Sequence, residues 1–376
     1  MHWKLIGLTA SAAFACLTPQ LCSGDSRLNS VTNDTLGSTS NGRTIERFTI
    51  VNNNGSILKT IALGATATEL HIKDRHGTLE DIVLGFDTAT EYEANPPYLG
   101  CTTGRVANRI SNAQFDLDGV TYKLAKNFGK HHLHGGLVGL HKRLWNGEPI
   151  THKEGQGVRY TYVSPDGEEG YPGNLSIAVT YVLTEKDGLL IEYEATTDKA
   201  TPINLTNHTY FNLSGAGAGS ILDHLLTIHA SKATERDEDG IPTGAIISVA
   251  GTPLDFTTPK RIGADVTDID IPYDHNFVLD HGGSKQPKLS AEVYDAGSGR
   301  VLQLFTTEPG VQLYTSYYME PTRGKGGTTY RQFHAFCLET QHFPDSVNKP
   351  QFPSIILRPG ETYRQITEYR FSTRNE

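Results

Sequence analysis

Cysteine is scarce, with 4 in 376 residues. Cys16 and Cys22 fall in an unusual N-terminal stretch, which leaves Cys101 and Cys337 for the body of the chain. Two thiols cannot make a disulfide scaffold; they read as lone buried groups, with pairing in an oxidising compartment as the alternative. Positive charge is in deficit too: Lys and Arg total 33 against 42 Asp and Glu, a formal net charge of −9. No basic run or aromatic-interleaved basic patch occurs, so the sequence predicts neither nucleic acid nor an anionic membrane surface as a partner. Beyond the N-terminus no segment is apolar enough to span a bilayer, and none keeps an apolar stripe at helical spacing. Chemical signatures are missing as well. There is no G-x-S-x-G elbow, no dinucleotide fingerprint between strand and helix, no phosphate loop and no H-E-x-x-H. The expectation is a chain that needs no cofactor and no metal.

The N-terminus stands apart. Lys4 precedes an apolar run from Leu5 to Leu17, and small or polar residues follow to Ser23 and Gly24. That layout predicts a signal peptide over residues 1–23, cut after Ala15 or near Ser23, and hence a secreted or periplasmic protein. A buried N-terminal strand is the other reading. Residues 24–42, rich in Ser, Thr, Asn and Gly, read as a flexible lead-in.

Length alone suggests two domains. The 38 glycines and 18 prolines instead favour many short strands, and no linker follows residue 42, so residues 43–376 read as a single large all-β domain. Period-two alternation marks strands at Phe48–Val51, Ser56–Leu63, Thr66–Lys73 and Ile82–Phe86. It continues at Leu175–Leu183 and Leu189–Thr197, across a Lys186-Asp187-Gly188 turn. Later candidates are Leu222–His229, Asn276–Asp280, Leu289–Asp295, Val301–Thr306, Val311–Tyr317, Ala335–Thr340 and Tyr363–Phe371. Two packed sheets would bury their apolar faces.

Polar residues gather at five places. Thr201–Leu213 reads as a half-buried strand, yet it crowds Asn204, Asn207, His208, Thr209, Tyr210 and Asn212 together. Such groups need partners, and a hydroxyl-rich ligand is one source of them. Gly104–Ile110 sets Arg105 and Arg109 beside Asn108; each arginine suits either a surface ion pair or neighbouring sugar hydroxyls. His131, His132, His134 and His141 surround Gly135-Gly136, where the readings are a solvated loop, a zinc site without diagnostic spacing, or His134 aimed at a ligand. Asp274 stands at the mouth of a strand, as a turn cap or as a site residue. Glu339 follows an apolar strand near aromatic residues, where a carboxylate's pKa rises and it can act as a base; an ion-pair partner is the alternative.

A carboxylate and a histidine suffice for one simple reaction. Interconverting α and β anomers of an aldose takes a base for the anomeric hydroxyl and an acid for the ring oxygen, with roles exchanged on closure.

GRVANRI at 104–110, LHGG at 133–136, DGEEGYPGNL at 166–175, NLTNHTYFNL at 204–213, YDHNF at 273–277, GVQLYTS at 310–316 and ETQHFPDSVN at 339–348 resemble the aldose 1-epimerase (galactose mutarotase) family. The resemblance runs from about residue 45 to the C-terminus. It implies a galactose-mutarotase-like β-supersandwich with an open cleft for an aldohexose. It implies Glu339 as general base and His208 as general acid. Arg109, His134 and Asp274 would hold sugar hydroxyls, with Asn108, Tyr210 and Gln312 as further substrate-binding candidates, in a monomer or homodimer. Two other readings remain at this point: a glycoside hydrolase using Glu339 and Asp274 as its carboxylate pair, and a sugar-binding module without catalysis.

Overall fold

Residues that alternate in polarity every second position form strands, and strands make up most of the regular structure in the computed structural model, which describes residues 28–269 and 271–375. The largest sheet has nine strands, in the spatial order Asn146–His152, Gly155–Ser164, Leu175–Thr184, Gly188–Thr197, Tyr363–Thr373, Arg300–Thr306, Lys288–Tyr294, Leu225–Ile228 and Lys260–Arg261. A five-stranded sheet opens the described chain, and a second one orders Pro242–Ser248, Lys232–Arg236, Asp274–Val278, Gly310–Tyr314 and Cys337–Gln341. One apolar core joins all three. Phe48 and Leu58 enter it from the first sheet, Val179, Ile191 and Tyr369 from the largest, and Phe277, Leu313 and Leu338 from the third. The chain is therefore a single all-β domain, as its patterning indicates.

Three expectations need correction, and one strand went unmarked. The lead-in is not free chain throughout, because Ser30–Ser38 pairs with Thr44–Val51 as an edge strand. Backbone pairing, together with an Arg47–Asp34 ion pair at 2.6 Å, overrides its disorder-like composition. Ile82–Phe86 is not a strand: Leu79–Asp81 is, and beyond it Val83 makes only an isolated bridge to Phe211. The Gly155–Ser164 strand escapes the alternation because its glycines mimic a turn. At Gly157 a Cβ would meet the Tyr181 carbonyl oxygen at 2.3 Å, so neighbouring backbone excludes a side chain there. Finally, Thr201–Leu213 is buried throughout, and its only strands are the two-residue Thr201–Pro202 and Thr206–Asn207, with isolated bridges at Asn204 and Phe211. One short helix, Ala89–Ala94, carries a capping box from Thr88 and Glu91, a T-x-x-E signal present in the sequence. The proposed signal peptide at residues 1–23 lies outside the described residues.

Phe211 locks the Thr201–Leu213 segment onto the core. It is fully buried, packs against the rings of Tyr369 at 4.9 Å and Phe336 at 5.8 Å, and exchanges backbone hydrogen bonds with Phe336. Phe211→Ala should destabilise the chain by about 3–5 kcal/mol, read as a lowered urea midpoint at unchanged slope.

Candidate active site

The third sheet has two unlike faces. Antiparallel register sets Asn276 opposite Gln312 and Gln312 opposite Glu339, and it sets Asp274 opposite Tyr314 and Tyr314 opposite Cys337. Because side chains alternate, Asp274, Gln312, Tyr314, Cys337 and Glu339 share one face. Their neighbours Phe277, Val311, Leu313 and Leu338 point the other way into the core. Glu339 thus sits mid-strand in Cys337–Gln341, not at a strand's end.

His208 faces Glu339 from a separate segment. Its amide donates to the Cys101 carbonyl at 2.9 Å, and its carbonyl accepts from Gly100 at 2.9 Å. The imidazole Nε2 lies 3.7 Å from Glu339 Oε1, both side chains being at most 5% exposed. Tyr210 stacks on the ring at 5.0 Å and Tyr98 flanks it at 6.1 Å. The Cys337 sulfur lies 3.5 Å from Nδ1. Burial pushes the Cys337 thiol well above its usual range, so it stays protonated. An S–H directed at Nδ1 leaves the ring proton on Nε2, toward Glu339. Burial and the nearby Asp274 charge raise the Glu339 carboxyl well above its ordinary pKa. Burial lowers His208 to about 4.

His134 completes this end of the cleft. Its amide donates to the Asn108 carbonyl at 2.9 Å, and the Asn108 amide donates back to its Nδ1 at 3.2 Å. Asn108 and His134 both take left-handed backbone, φ 59° and 48°, a strain concentrated where side chains must be aimed. At Gly135, φ 82°, a Cβ would fall 1.6 Å from the Gly104 carbonyl oxygen, so glycine is what lets the histidine loop lie against the arginine loop. His134, His208 and Glu339 bring potential metal ligands within 4.8 Å of one another. A metal does not fit this donor set well. With Nδ1 accepting from an amide, the neutral His134 ring carries its proton on Nε2 and offers a donor there, not a lone pair.

On the other side Arg109 Nη2 reaches Asp274 Oδ2 at 3.0 Å, and Gln312 Nε2 reaches Oδ1 at 2.7 Å. Burial pushes Asp274 up, but Arg109, Gln312 and Arg236 outweigh it and hold the carboxyl below its usual range. Asn108, Arg109, His134, His208, Tyr210, Asp274 and Glu339 all line one cleft of about 190 Å³. That is small beside the roughly 300–1,000 Å³ of drug-sized pockets and suits a single sugar ring. Gln312 does not line it; it stands behind Asp274. Tyr210 offers its ring, since its hydroxyl donates to Pro97 O at 2.7 Å. Tyr314, inside the GVQLYTS motif, also lines the cleft, as do Tyr98, Phe128 and Tyr318, which no motif singled out; lone aromatics outside the strands carry no periodic signal.

Several polar groups in the same motifs prove structural. Asn204 exchanges hydrogen bonds with the His342 backbone, Asn207 binds Gly100 O and Tyr181, and Asn212 binds Gly219 O and His334 O. Protein groups answer the three asparagines of that segment, while its His208 and Tyr210 line the cleft. Arg105 is spent on the carbonyls of Ser164, Pro165 and Pro172. His132 bridges Ala125 O and the Tyr171 hydroxyl, each at 2.8 Å. Cys101 and Cys337 are buried free thiols, as their isolation suggested.

Burial lowers His132, His208 and His224 to about 4 and His141 and His275 to about 3. The unfolded chain binds these protons near pH 6.5 while the folded chain does not. Stability is therefore retained above that pH and lost on acidification toward 4–3, by ~3–5 kcal/mol per histidine. His342, raised by Glu308 against its own burial, works in the opposite sense and loses its contribution as pH rises through its folded value. Thermal midpoints should fall steeply from pH 6.5 to 4; a flat profile there would contradict these assignments.

The aldose 1-epimerase family model matches residues 46–370. Bovine galactose mutarotase is 46% identical over 331 residues, covering 88% of this chain and 94% of the relative. Aldose 1-epimerase of Escherichia coli K12 is 36% identical over 346 residues, covering 90% and 99%. Among solved structures, an aldose epimerase homologue from C. elegans superposes with TM-score 0.80 at 35% identity, covering 87% of this chain and 98% of that one. A galactose 1-epimerase from Lactobacillus acidophilus does so with TM-score 0.80 at 28% identity, covering 92% and 99%. With a matching family model over most of its length and relatives matched almost end to end, the chain belongs to the aldose 1-epimerase family.

Proposed function

We infer that the protein interconverts the α and β anomers of an aldohexose such as glucose or galactose, with Glu339 as base and His208 as acid. The observation that carries this reading is the 3.7 Å approach of His208 Nε2 to Glu339 Oε1 inside one cleft. The anomeric hydroxyl and the ring oxygen are bonded to the same carbon, so a base and an acid serving both must themselves stand close together. Glu339 takes the hydroxyl proton while His208 delivers one to the ring oxygen, and the C1–ring-oxygen bond breaks. Rotation about the C1–C2 bond presents the other face of the aldehyde, and the proton transfers reverse on closure. The pair needs one proton between its members. Burial disfavours the charged form of each, raising the carboxyl and lowering the imidazole, so that proton is not locked in a His208–Glu339 ion pair.

Arg109, Asp274 and His134 supply donors and acceptors for the remaining hydroxyls. Gln312 holds Asp274 in place, and Asn108 fixes the His134 tautomer. A glycoside hydrolase would use Asp274 as its second carboxyl group, but that carboxylate is already engaged by Arg109 and Gln312. We further place the protein outside the cytoplasm on the strength of the N-terminal run; the N-terminal sequence of secreted material tests this.

Polarimetry on fresh α-D-glucose or α-D-galactose should show accelerated mutarotation without release of sugar from glycosides. Glu339→Gln and His208→Asn should each lower kcat by ~10² or more; near-normal turnover removes that residue from its role. Arg109→Lys should mainly raise KM, because a lysine lacks the planar fork.

A further inference from the structure

A histidine that gives up a proton to the ring oxygen must first carry a charge. Buried charge needs compensation from the groups around it, and around His208 the usual sources are thin. Glu339 Oε1, at 3.7 Å, stands beyond hydrogen-bond reach of Nε2. At Nδ1 the partner is the Cys337 sulfur at 3.5 Å, a weak acceptor, where a carboxylate or a backbone carbonyl often orients a histidine. Asp274, the other anion acting on the ring, is already held by Arg109 and Gln312. The remaining titratable neighbours are uncharged at neutral pH. Burial lowers His134 well below its ordinary value and His141 to about 3. It raises the thiols of Cys101 and Cys337 and the phenols of Tyr98, Tyr210 and Tyr314.

Aromatic faces fill the gap. Tyr210 lies nearly parallel to the His208 ring, with 18° between the planes and 5.0 Å between centroids. Tyr98 is nearly parallel too, at 19° and 6.1 Å. Tyr314 and His134 instead cross the imidazole at 83° and 69°. A cation within about 6 Å of a tyrosine ring is drawn to its negative face. That attraction acts on the imidazolium more than on the neutral ring, so stacking favours the protonated form. Both tyrosines are fixed in place. The Tyr210 hydroxyl donates to Pro97 O at 2.7 Å, which ties its ring to the residue before Tyr98. Tyr98 keeps a left-handed backbone, φ 62°, at a cost for so bulky a residue. Its amide donates to Asn95 O at 3.1 Å, and its carbonyl accepts from the Cys101 thiol at 3.2 Å.

We propose that Tyr210, seconded by Tyr98, is a positioning residue for the acid: its ring face supports the charge on protonated His208, the part a carboxylate at Nδ1 would otherwise play. This rests on His208 being the acid of the mutarotase reading. The choice of a ring over a carboxylate has a physical reason. A second anion beside His208 would hold the proton on the imidazole and push the nearby Glu339 carboxyl higher still, so neither group could exchange roles as ring closure requires. A ring face attracts the imidazolium without adding net charge to the cleft.

The test reads the imidazole itself. In protein made with isotope-labelled histidine, the His208 ring signal is assigned by its absence from His208→Asn and followed by NMR as pH is lowered. Tyr210→Leu removes the face while still filling the space, and the His208 titration should then begin about one pH unit lower than in the wild type. With the acid form scarcer, kcat on D-galactose should fall by about tenfold while KM moves much less. Tyr210→Phe, which retains a ring face, should lower both by less. Tyr98→Leu should act in the same direction by about half as much on the pH scale. Were Tyr210 mere packing, its loss would admit water and the titration would move up toward the ordinary value of about 6.5. A raised or unmoved His208 titration in Tyr210→Leu overturns the proposal, and should that variant not fold, Tyr98→Leu decides by the same criterion. A wild type that fails to speed mutarotation would instead overturn the reading of function, while the His208 titration still judges the part played by the ring.

Discussion

The register among Asp274–Val278, Gly310–Tyr314 and Cys337–Gln341 is the constraint on which the rest depends. Side chains on these strands alternate between two environments that cannot be exchanged. One face completes the apolar core, and the other holds a buried ion pair, its amide support and the acid–base carboxyl. A slip of one residue would drive Asp274 and Glu339 into hydrocarbon and turn Phe277 and Leu313 toward the cleft. The core therefore enforces the chemistry: the free energy that packs Phe277, Val311, Leu313 and Leu338 also fixes where Glu339 points.

That placement brings charges into a poor dielectric, and the two ends of the cleft answer the cost differently. At the Asp274 end, guanidinium and amide donors compensate the carboxylate, which stays ionised despite burial. At the Glu339 end no cation comes as near. The partner is an imidazole whose own burial disfavours charge, so the pair keeps a proton within reach of both members. Two buried carboxyl groups on one sheet face thus take up opposite protonation habits because their neighbours differ.

Much of this was readable from the chain. Alternation located most core strands, and the motifs around Arg109, His134, His208, Asp274 and Glu339 carried residues that meet in one cleft. What escaped has physical reasons. Strands such as Gly155–Ser164 use glycine where backbone crowds backbone, which reads as a turn. Ser30–Ser38 is an edge strand whose order comes from its partner, not its composition. The polar crowd at Asn204–Asn212 looked like a ligand site, but its amides serve distant carbonyls that no local pattern reveals. Arg236, Tyr98 and Tyr318 sit in unremarkable sequence and gain their places only when separate strands and loops converge.

The cleft draws its floor and its rim from different kinds of chain. Asp274 comes from the middle strand of its sheet and Glu339 from the last one, and both strands pack their other face into the core, which feels substitutions there. Pro96 to Tyr98, Phe128, Tyr318 and Met319 come from connections outside the named strands. Such segments tolerate exchange far better than the sheet beneath them. Descendants of this scaffold can therefore change which carbohydrate they admit by rewriting a handful of loop positions, while inheriting an unaltered proton-handling centre.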